Sequence, residues 1–304
     1  MNRITAHPLA FLLLLTVAFS CNEQVQLPVT PPPPDEPAPN LATCRIARTV
    51  YKNPTIGLKP DEIIDPETVK LPDGSTIRVS TLRTTSYQYD EQGRIREIYV
   101  KRLKGSYSRY VYEYKNGGVY TFERHASADL DPLIVQTDSV QTNEQGLIIR
   151  PRGFGSVSFF YNQDGQLLNN YPSYLPYTHQ YVDGNLTEEL LFASRWQRDG
   201  QWQGYDRQYL RYRYDLNRPN LPVIHQFLGK PSRNLPLEET QEIQNGSQYP
   251  NGLAYRKQFA YSYDRWGRVR RRIIQGKALV NWWLLEDDTY GVGVTDFEYA
   301  CSPN

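Results

Sequence analysis

Methionine stands only at position 1 of 304 residues, cysteine occurs three times and histidine four. Past the first 20 residues the histidines are His125, His179 and His225, none at ligand spacing from another His or Cys, so the chain offers no metal centre. Neither charge sign dominates, the formal net charge being +1. That balance supplies no basic field for nucleic acid and no acidic field for basic partners. Long apolar runs are missing beyond the N-terminus: Val280 to Leu285 is far too short to cross a bilayer as a helix. A Ser-His-Asp order, a phosphate-cradling loop and a calcium loop are absent too. What is abundant is tyrosine, 24 residues in a chain 13% aromatic, which favours half-buried pleated surfaces over helix packing.

Residues 1–20 read as a signal peptide: Arg3, then an apolar run from Leu9 to Phe19, ending at Ala18-Phe19-Ser20-Cys21. The small residue before Cys21 resembles the lipobox of bacterial lipoproteins, which implies that Cys21 is the acylated first residue of the mature chain. An ordinary signal peptide with an incidental Cys is the alternative. The following stretch favours the lipoprotein. Residues 22–41 hold seven prolines, including Pro31-Pro32-Pro33-Pro34. Such a segment runs as extended polyproline over roughly 60 Å at about 3.1 Å per residue, a spacer between membrane and domain. The expected organisation is a signal at 1–20, an anchor and tether at 21–41 and one β-rich repeat domain at 42–304.

With Cys21 lipidated, Cys44 and Cys301 remain. An exported chain meets an oxidising compartment, so the expectation is a Cys44–Cys301 disulfide rather than two buried thiols. Closing a loop of that length restricts the unfolded chain by up to roughly 5 kcal/mol.

The most informative feature is repetition. Tyr87-Gln88-Tyr89-Asp90-Glu91-Gln92-Gly93-Arg94-Ile95 matches Tyr261-Ser262-Tyr263-Asp264-Arg265-Trp266-Gly267-Arg268-Val269, and Phe159-Phe160-Tyr161-Asn162-Gln163-Asp164-Gly165-Gln166-Leu167 is a third copy. Asp90, Asn162 and Asp264 open a turn by bonding the backbone ahead, while Gly93, Gly165 and Gly267 accept its left-handed position. Weaker copies lie at Asn116-Gly117, Asn143 to Gly146 and Asp183-Gly184, and another hairpin is expected at Asp73-Gly74. Val157, Phe159 and Tyr161 share a face at strand period, as do Leu210, Tyr212 and Tyr214, and Phe259, Tyr261 and Tyr263. Ile95 and Ile98 break that period, which calls for a bulge or a strand buried on both faces.

These patterns predict an all-β fold with few helices, an antiparallel meander of successive hairpins forming a strongly curved sheet or partly closed barrel. About 14 to 16 strands fit the length at usual strand sizes. The proline-rich interruption from Asn217 to Gly252 is expected to be a large loop or a crossover with one short helical turn. The Tyr-Asp-x-x-Gly-Arg units resemble the YD repeats of Rhs-type toxin shells. Tyr214-Asp215, Asn217-Arg218-Pro219-Asn220 and the stretch Phe227-Leu228-Gly229-Lys230-Pro231-Ser232-Arg233-Asn234-Leu235-Pro236 resemble a signature of Bacteroidetes lipoproteins of unknown function. That resemblance covers residues 80–300 and implies a porin-like meandering β fold at the outer membrane. It implies no catalytic residues.

The adjacent carboxylates Glu188-Glu189, Glu238-Glu239 and Asp287-Asp288 point to opposite faces if on strands, so none is a ready-made pair. Among the tryptophans, Trp266 in its turn and Trp202 are the candidates for stacking on a sugar ring; packing is the alternative for each. Arg268, Arg270 and Arg272 are expected to form one solvent face that discourages edge pairing. The reading that follows is a lipid-anchored, non-enzymatic binding or scaffold module without cofactor, its partners the membrane and a glycan or protein ligand. The rival is a glycan-directed hydrolase using carboxylates inside the curved sheet.

Overall fold

The computed structural model describes residues 40–115, 117–126, 135–151, 158–169, 179–198, 201–244, 252–277 and 291–301. The signal, Cys21 and the tether up to residue 39 lie outside them, as do Val157, Trp282 and Trp283. The first half contributes β1 (Arg45–Pro54), β2 (Glu67–Lys70), β3 (Thr76–Tyr89), β4 (Ile95–Arg102), β5 (Tyr107–Lys115), β6 (Gly118–Ala126), β7 (Val135–Thr142) and β8 (Ile148–Pro151). Then come β9 (Phe160–Tyr161), β10 (Leu167–Asn169), β11 (His179–Val182), β12 (Asn185–Arg198) and β13 (Gln201–Pro219). The last are β14 (Asn234–Gln244), β15 (Gly252–Tyr263), β16 (Val269–Lys277) and β17 (Val292–Ala300). Among the described residues the only helical pieces are four short 3-10 turns.

Among the described residues fifteen strands form one antiparallel sheet, in the order β11 through β17, then β1, β3 and on to β8, with β2 attached to β3. The N-terminal strand therefore pairs with the C-terminal one, Arg45 opposite Ala300. Cys44 and Cys301 are joined by a disulfide just outside that pair. Among the described residues the strand ladder does not close between β8 and β11. There the separate β9–β10 ribbon stands, touching one side through Phe159 N–H to Ile149 O, 3.1 Å, and the other through His179 Nδ1 to Leu168 O, 3.2 Å. The third sequence repeat thus forms a short ribbon of its own rather than a full pair of sheet strands.

The repeats close in the same way. Asp90 Oδ1 accepts from the backbone N–H groups of Gln92 and Arg94, Asn143 Oδ1 from Gln145 and Leu147, and Asp264 Oδ1 from Trp266 and Arg268. Gly93, Gly146, Gly165 and Gly267 all have φ between 74° and 81°. In antiparallel succession these turns share one end of the sheet.

Beyond the turn the register slips by one residue. Arg96 is extra between the pairs Tyr89–Ile95 and Gln88–Glu97, and Arg270 between Tyr263–Val269 and Ser262–Arg271. Thr187, Leu237 and Ala47 are extra in the same sense in β12, β14 and β1. This bulge explains the three-residue spacing of Ile95 and Ile98, both buried. It also corrects the expectation for the arginines. Arg270 is the bulged, exposed residue, so the alternation restarts and Arg272 turns to the opposite face from Arg271. Bulges strengthen twist and bend a strand, so a row of them near one end rolls the sheet.

At each of these five bulges a tyrosine on the neighbouring strand donates to the carbonyl just before the extra residue. The pairs are Tyr89 to Ile46 O (2.9 Å), Tyr114 to Ile95 O (3.0 Å) and Tyr214 to Leu186 O (2.7 Å). Tyr261 to Pro236 O and Tyr299 to Val269 O, each 2.8 Å, complete the set. A buried phenol keeps its ring in the core while its hydroxyl satisfies a backbone acceptor, which suits Tyr and not Phe. Burial pushes the hydroxyls of Tyr89, Tyr114 and Tyr214 up to about 12.

The segment from Asn220 to Arg233, between β13 and β14, crosses the enclosed side of the rolled sheet and carries a 3-10 turn at Gln226–Leu228. The interruption expected over 217–252 is therefore shorter, because β14 begins at Asn234. Leu221 and Ile224 of the segment pack on the cluster of Ile46, Leu235, Val269 and Phe297. Gln226 Nε2 reaches Gly93 O at 3.0 Å, Lys230 N–H reaches Gly165 O at 2.8 Å and Arg233 N–H reaches Gly184 O at 2.9 Å. Gly229 (φ 96°) passes so close that a Cβ there would lie 2.8 Å from Gly165 O and from the Tyr161 ring. The Ser232-Arg233-Asn234-Leu235-Pro236 stretch fastens this crossing. Buried Asn234 donates to Leu216 O and Arg218 O and exchanges bonds with Asn185, Ser232 bonds Tyr214, and Leu235 is 1% exposed.

The opposite face carries ion pairs: Arg48–Glu298, Arg109–Glu97, Arg211 with Glu188 and Glu242, and Arg256–Glu238. Part of it is covered by the β2–β3 hairpin, whose Val69 and Val79 pack on Val294. Beside them Lys52, Glu67, Arg271 and Asp296 form a charge quartet. Burial disfavours the Asp296 charge, but bonds from Arg271 and Lys52 outweigh it and hold the carboxyl below its ordinary value.

Candidate functional site

The inner wall places four side chains in one row across four adjacent strands. Arg272 (β16) stands opposite Thr295 (β17), Thr295 opposite Tyr51 (β1) and Tyr51 opposite Arg83 (β3). The next row holds Phe297, Thr49 and Thr85. Both face the crossing segment and leave a cavity of about 530 Å³ between wall and segment, lined also by Leu221, His225, Lys230 and Tyr181. The Arg83 guanidinium lies 4.9 Å from the centre of the Tyr51 ring, and that of Arg272 5.9 Å from Phe297. Burial lowers the His225 pKa, so its imidazole is neutral at pH 7. Its ring packs 5.3 Å from Phe227 and 5.7 Å from Tyr112.

A second polar group lies on the inner side of β12–β15. The bulges at Thr187 and Leu237 send Glu188 and Glu238 outward to arginines and turn Glu189 and Glu239 inward. The Tyr212 hydroxyl donates to Glu189 at 3.2 Å, and Tyr212 stands opposite Glu239 in register. Lys257 pairs with Glu239 at 3.1 Å and Tyr255 donates to it. Burial, then both carboxylates, drive the Tyr212 pKa upward. Two residues from separate sequence pairs thus meet at one phenol. Only the register could reveal it.

Of the two tryptophans that the sequence singles out for sugar stacking, Trp266 falls elsewhere. Trp266 sits in its turn, half-buried, with the guanidinium groups of Arg265 and Arg268 over its ring at 4.0 and 4.6 Å. Arg268 also bonds Asp264 and lies 2.8 Å from Cys301 Sγ, joining the turn to the disulfide. Trp202 belongs to β13, but its side chain lies outside the described residues. Among the described residues no group of three or more His, Cys, Asp or Glu is arranged for a metal ion.

No protein-family model matches the chain, and no curated protein does. Among solved structures it is similar to a porin-like protein from Bacteroides uniformis ATCC 8492, 13% identical, with a TM-score of 0.42 over 84% of this chain and 96% of that one. It is similar also to a porin-like protein from Bacteroides vulgatus ATCC 8482, 13% identical, with a TM-score of 0.27 over 84% of this chain and 98% of that one.

Proposed function

We propose that this protein is a non-enzymatic binding module of the bacterial cell envelope, held at the outer membrane by a lipid on Cys21. It takes its ligand, a glycan in the first place, in the cavity between the inner wall and the crossing segment. The observation that carries this reading is the cavity of about 530 Å³, within the size range of small-molecule sites and lined by hydroxyls, aromatic rings and cations. The outer face supports a separate anchor. Arginine or lysine facing lipid near the bilayer midplane costs about 2–4 kcal/mol each, and this face carries several. Strand β1 begins at the end that bears the repeat turns, so a tether reaching residue 41 joins the domain there.

The test is a glycan-array screen of the purified chain beside its Leu228→Trp variant. Leu228 is 47% exposed and lines the cavity, so a larger ring there fills it without disturbing the core. Saturable binding without product, lost in the variant, supports the proposal; binding that survives the variant places the ligand elsewhere and overturns the assignment. A hydrolase is the second reading, favoured by Glu189 and Glu239 on either side of Tyr212. Product that disappears in Glu189→Gln or Glu239→Gln would establish it instead.

A further inference from the structure

We infer that the ligand is an oligosaccharide long enough to leave the inner cavity and occupy a second one at the turn end of the sheet; the inference rests on the binding-module reading above. The second cavity, about 470 Å³, lies between the crossing segment and the repeat turns. Gln145 reaches it from the turn of Asn143 to Gly146, and Gln163 and Asp164 from the turn of Asn162 to Gly165. At the first repeat turn, Arg45 Nη2 lies 3.3 Å from where a Cβ on Gly93 would stand, and Gln226 Nε2 bonds Gly93 O. Both side chains belong to the same lining. Pro222, Val223, Gly229 and Lys230 line the inner cavity as well, so the two abut along the segment. Each alone lies within the size range of a small-molecule site, so a ligand that fills both is a chain of units rather than a single ring.

The chemistry of both linings suits a neutral sugar chain. Three polar groups of the second cavity are the carboxamides of Gln145, Gln163 and Gln226, which donate and accept at once as a hydroxyl does. Its charges are of both signs, Arg45 and Lys230 against Asp164, so it favours neither a polyanion nor a polycation. Leu147, Pro222 and Val223 add the apolar surface on which a ring face rests. In the inner cavity the Nδ1 atom of His225 is buried and has no hydrogen-bond partner among the described residues. Such an atom calls for a partner, and a sugar hydroxyl satisfies either tautomer. Once one end of the chain is held inside, the remainder meets the second cavity at high effective concentration, so affinity rises with length.

The experiment is an array printed with α-glucan, β-glucan, xylan, chitin and galacturonan series from disaccharide to octasaccharide, followed by calorimetric titration with the series that binds. Expected is an affinity that rises at least about 10-fold from the shortest member to the longest, with a single ligand per protein. Gln145 and Gln163 are exposed and line the second cavity but not the inner one. The double variant Gln145→Ala, Gln163→Ala should therefore remove most of the rise and leave disaccharide affinity unchanged, whereas Leu228→Trp should abolish binding at every length. Equal affinity at all lengths, lost in Leu228→Trp, overturns the second cavity and leaves the binding module standing. A rise that persists in the double alanine variant places the added units elsewhere and also overturns it. Binding in no series, or binding that survives Leu228→Trp, overturns the parent reading and this inference with it. Should circular dichroism show the double variant unfolded, Asp164→Ala, likewise exposed and outside the inner cavity, takes its place.

Discussion

The two faces of the same strands use polar residues in opposite ways. On the outer face charged side chains pair with one another in water, as Arg48 does with Glu298, their side chains 43% and 58% exposed. On the inner face tyrosines turn their hydroxyls back to the carbonyls that bulges leave open, and their rings complete the core. Alternation alone makes both faces look mixed. The difference is energetic, because the partly buried inner polar groups have less water to fall back on than the outer ones.

The largest contrast is expected from Leu235→Ala. This residue is 1% exposed, in the cluster under the crossing segment, and its truncation should lower stability by about 2–5 kcal/mol in chemical denaturation. A loss below about 1 kcal/mol would mean that the segment does not pack as described.

The meander is legible in the sequence because its signals are local. An Asx side chain bonds the amides two and four residues ahead, and glycine takes the positive φ between them, within a window of nine residues. The bulge is barely legible. It shows only as Ile95 and Ile98 falling three apart, and without it every later residue is assigned to the wrong face. Arg272 is misplaced on the solvent side for that reason, and Glu189 and Glu239 are missed as neighbours. The proline content of 217–252 marks an interruption, yet nothing local says that it runs through the inside. Of the candidate site almost nothing is legible, since Tyr51, Arg83, Arg272 and Thr295 meet only through the pairing of the first strand with the last.

A smaller contrast isolates the tyrosine hydroxyls. Tyr299→Phe keeps the ring beside Phe297 and Val269 but leaves the Val269 carbonyl without its donor. An acceptor left unsatisfied in a buried setting costs about 1–3 kcal/mol, so denaturant midpoints should fall for Tyr299→Phe and for Tyr114→Phe. Near-zero change in both would show that water reaches the bulges and that the hydroxyls are incidental.

The smallest effect belongs to the outer face, and it tests the comparison from the other side. Arg48→Ala removes a pair whose partners already share their charge with solvent, so the attraction lost is offset by side-chain freedom and hydration regained. Stability should drop by less than about 1 kcal/mol, and by less again at high salt. The Lys52–Glu67–Arg271–Asp296 quartet lies on the same face beneath the β2–β3 hairpin, yet differs in kind, with Lys52 only 12% exposed. Because Asp296 and Glu67 both titrate below their ordinary values in the folded chain, the quartet's contribution is present above about pH 4 and is lost as pH falls through those lowered values. Arg48→Ala should leave that acid limb of the stability profile where it is, because it removes no partner of either carboxylate. An Arg48→Ala loss as large as that of Tyr299→Phe would mean that cover, not the choice of face, decides what a polar side chain contributes here.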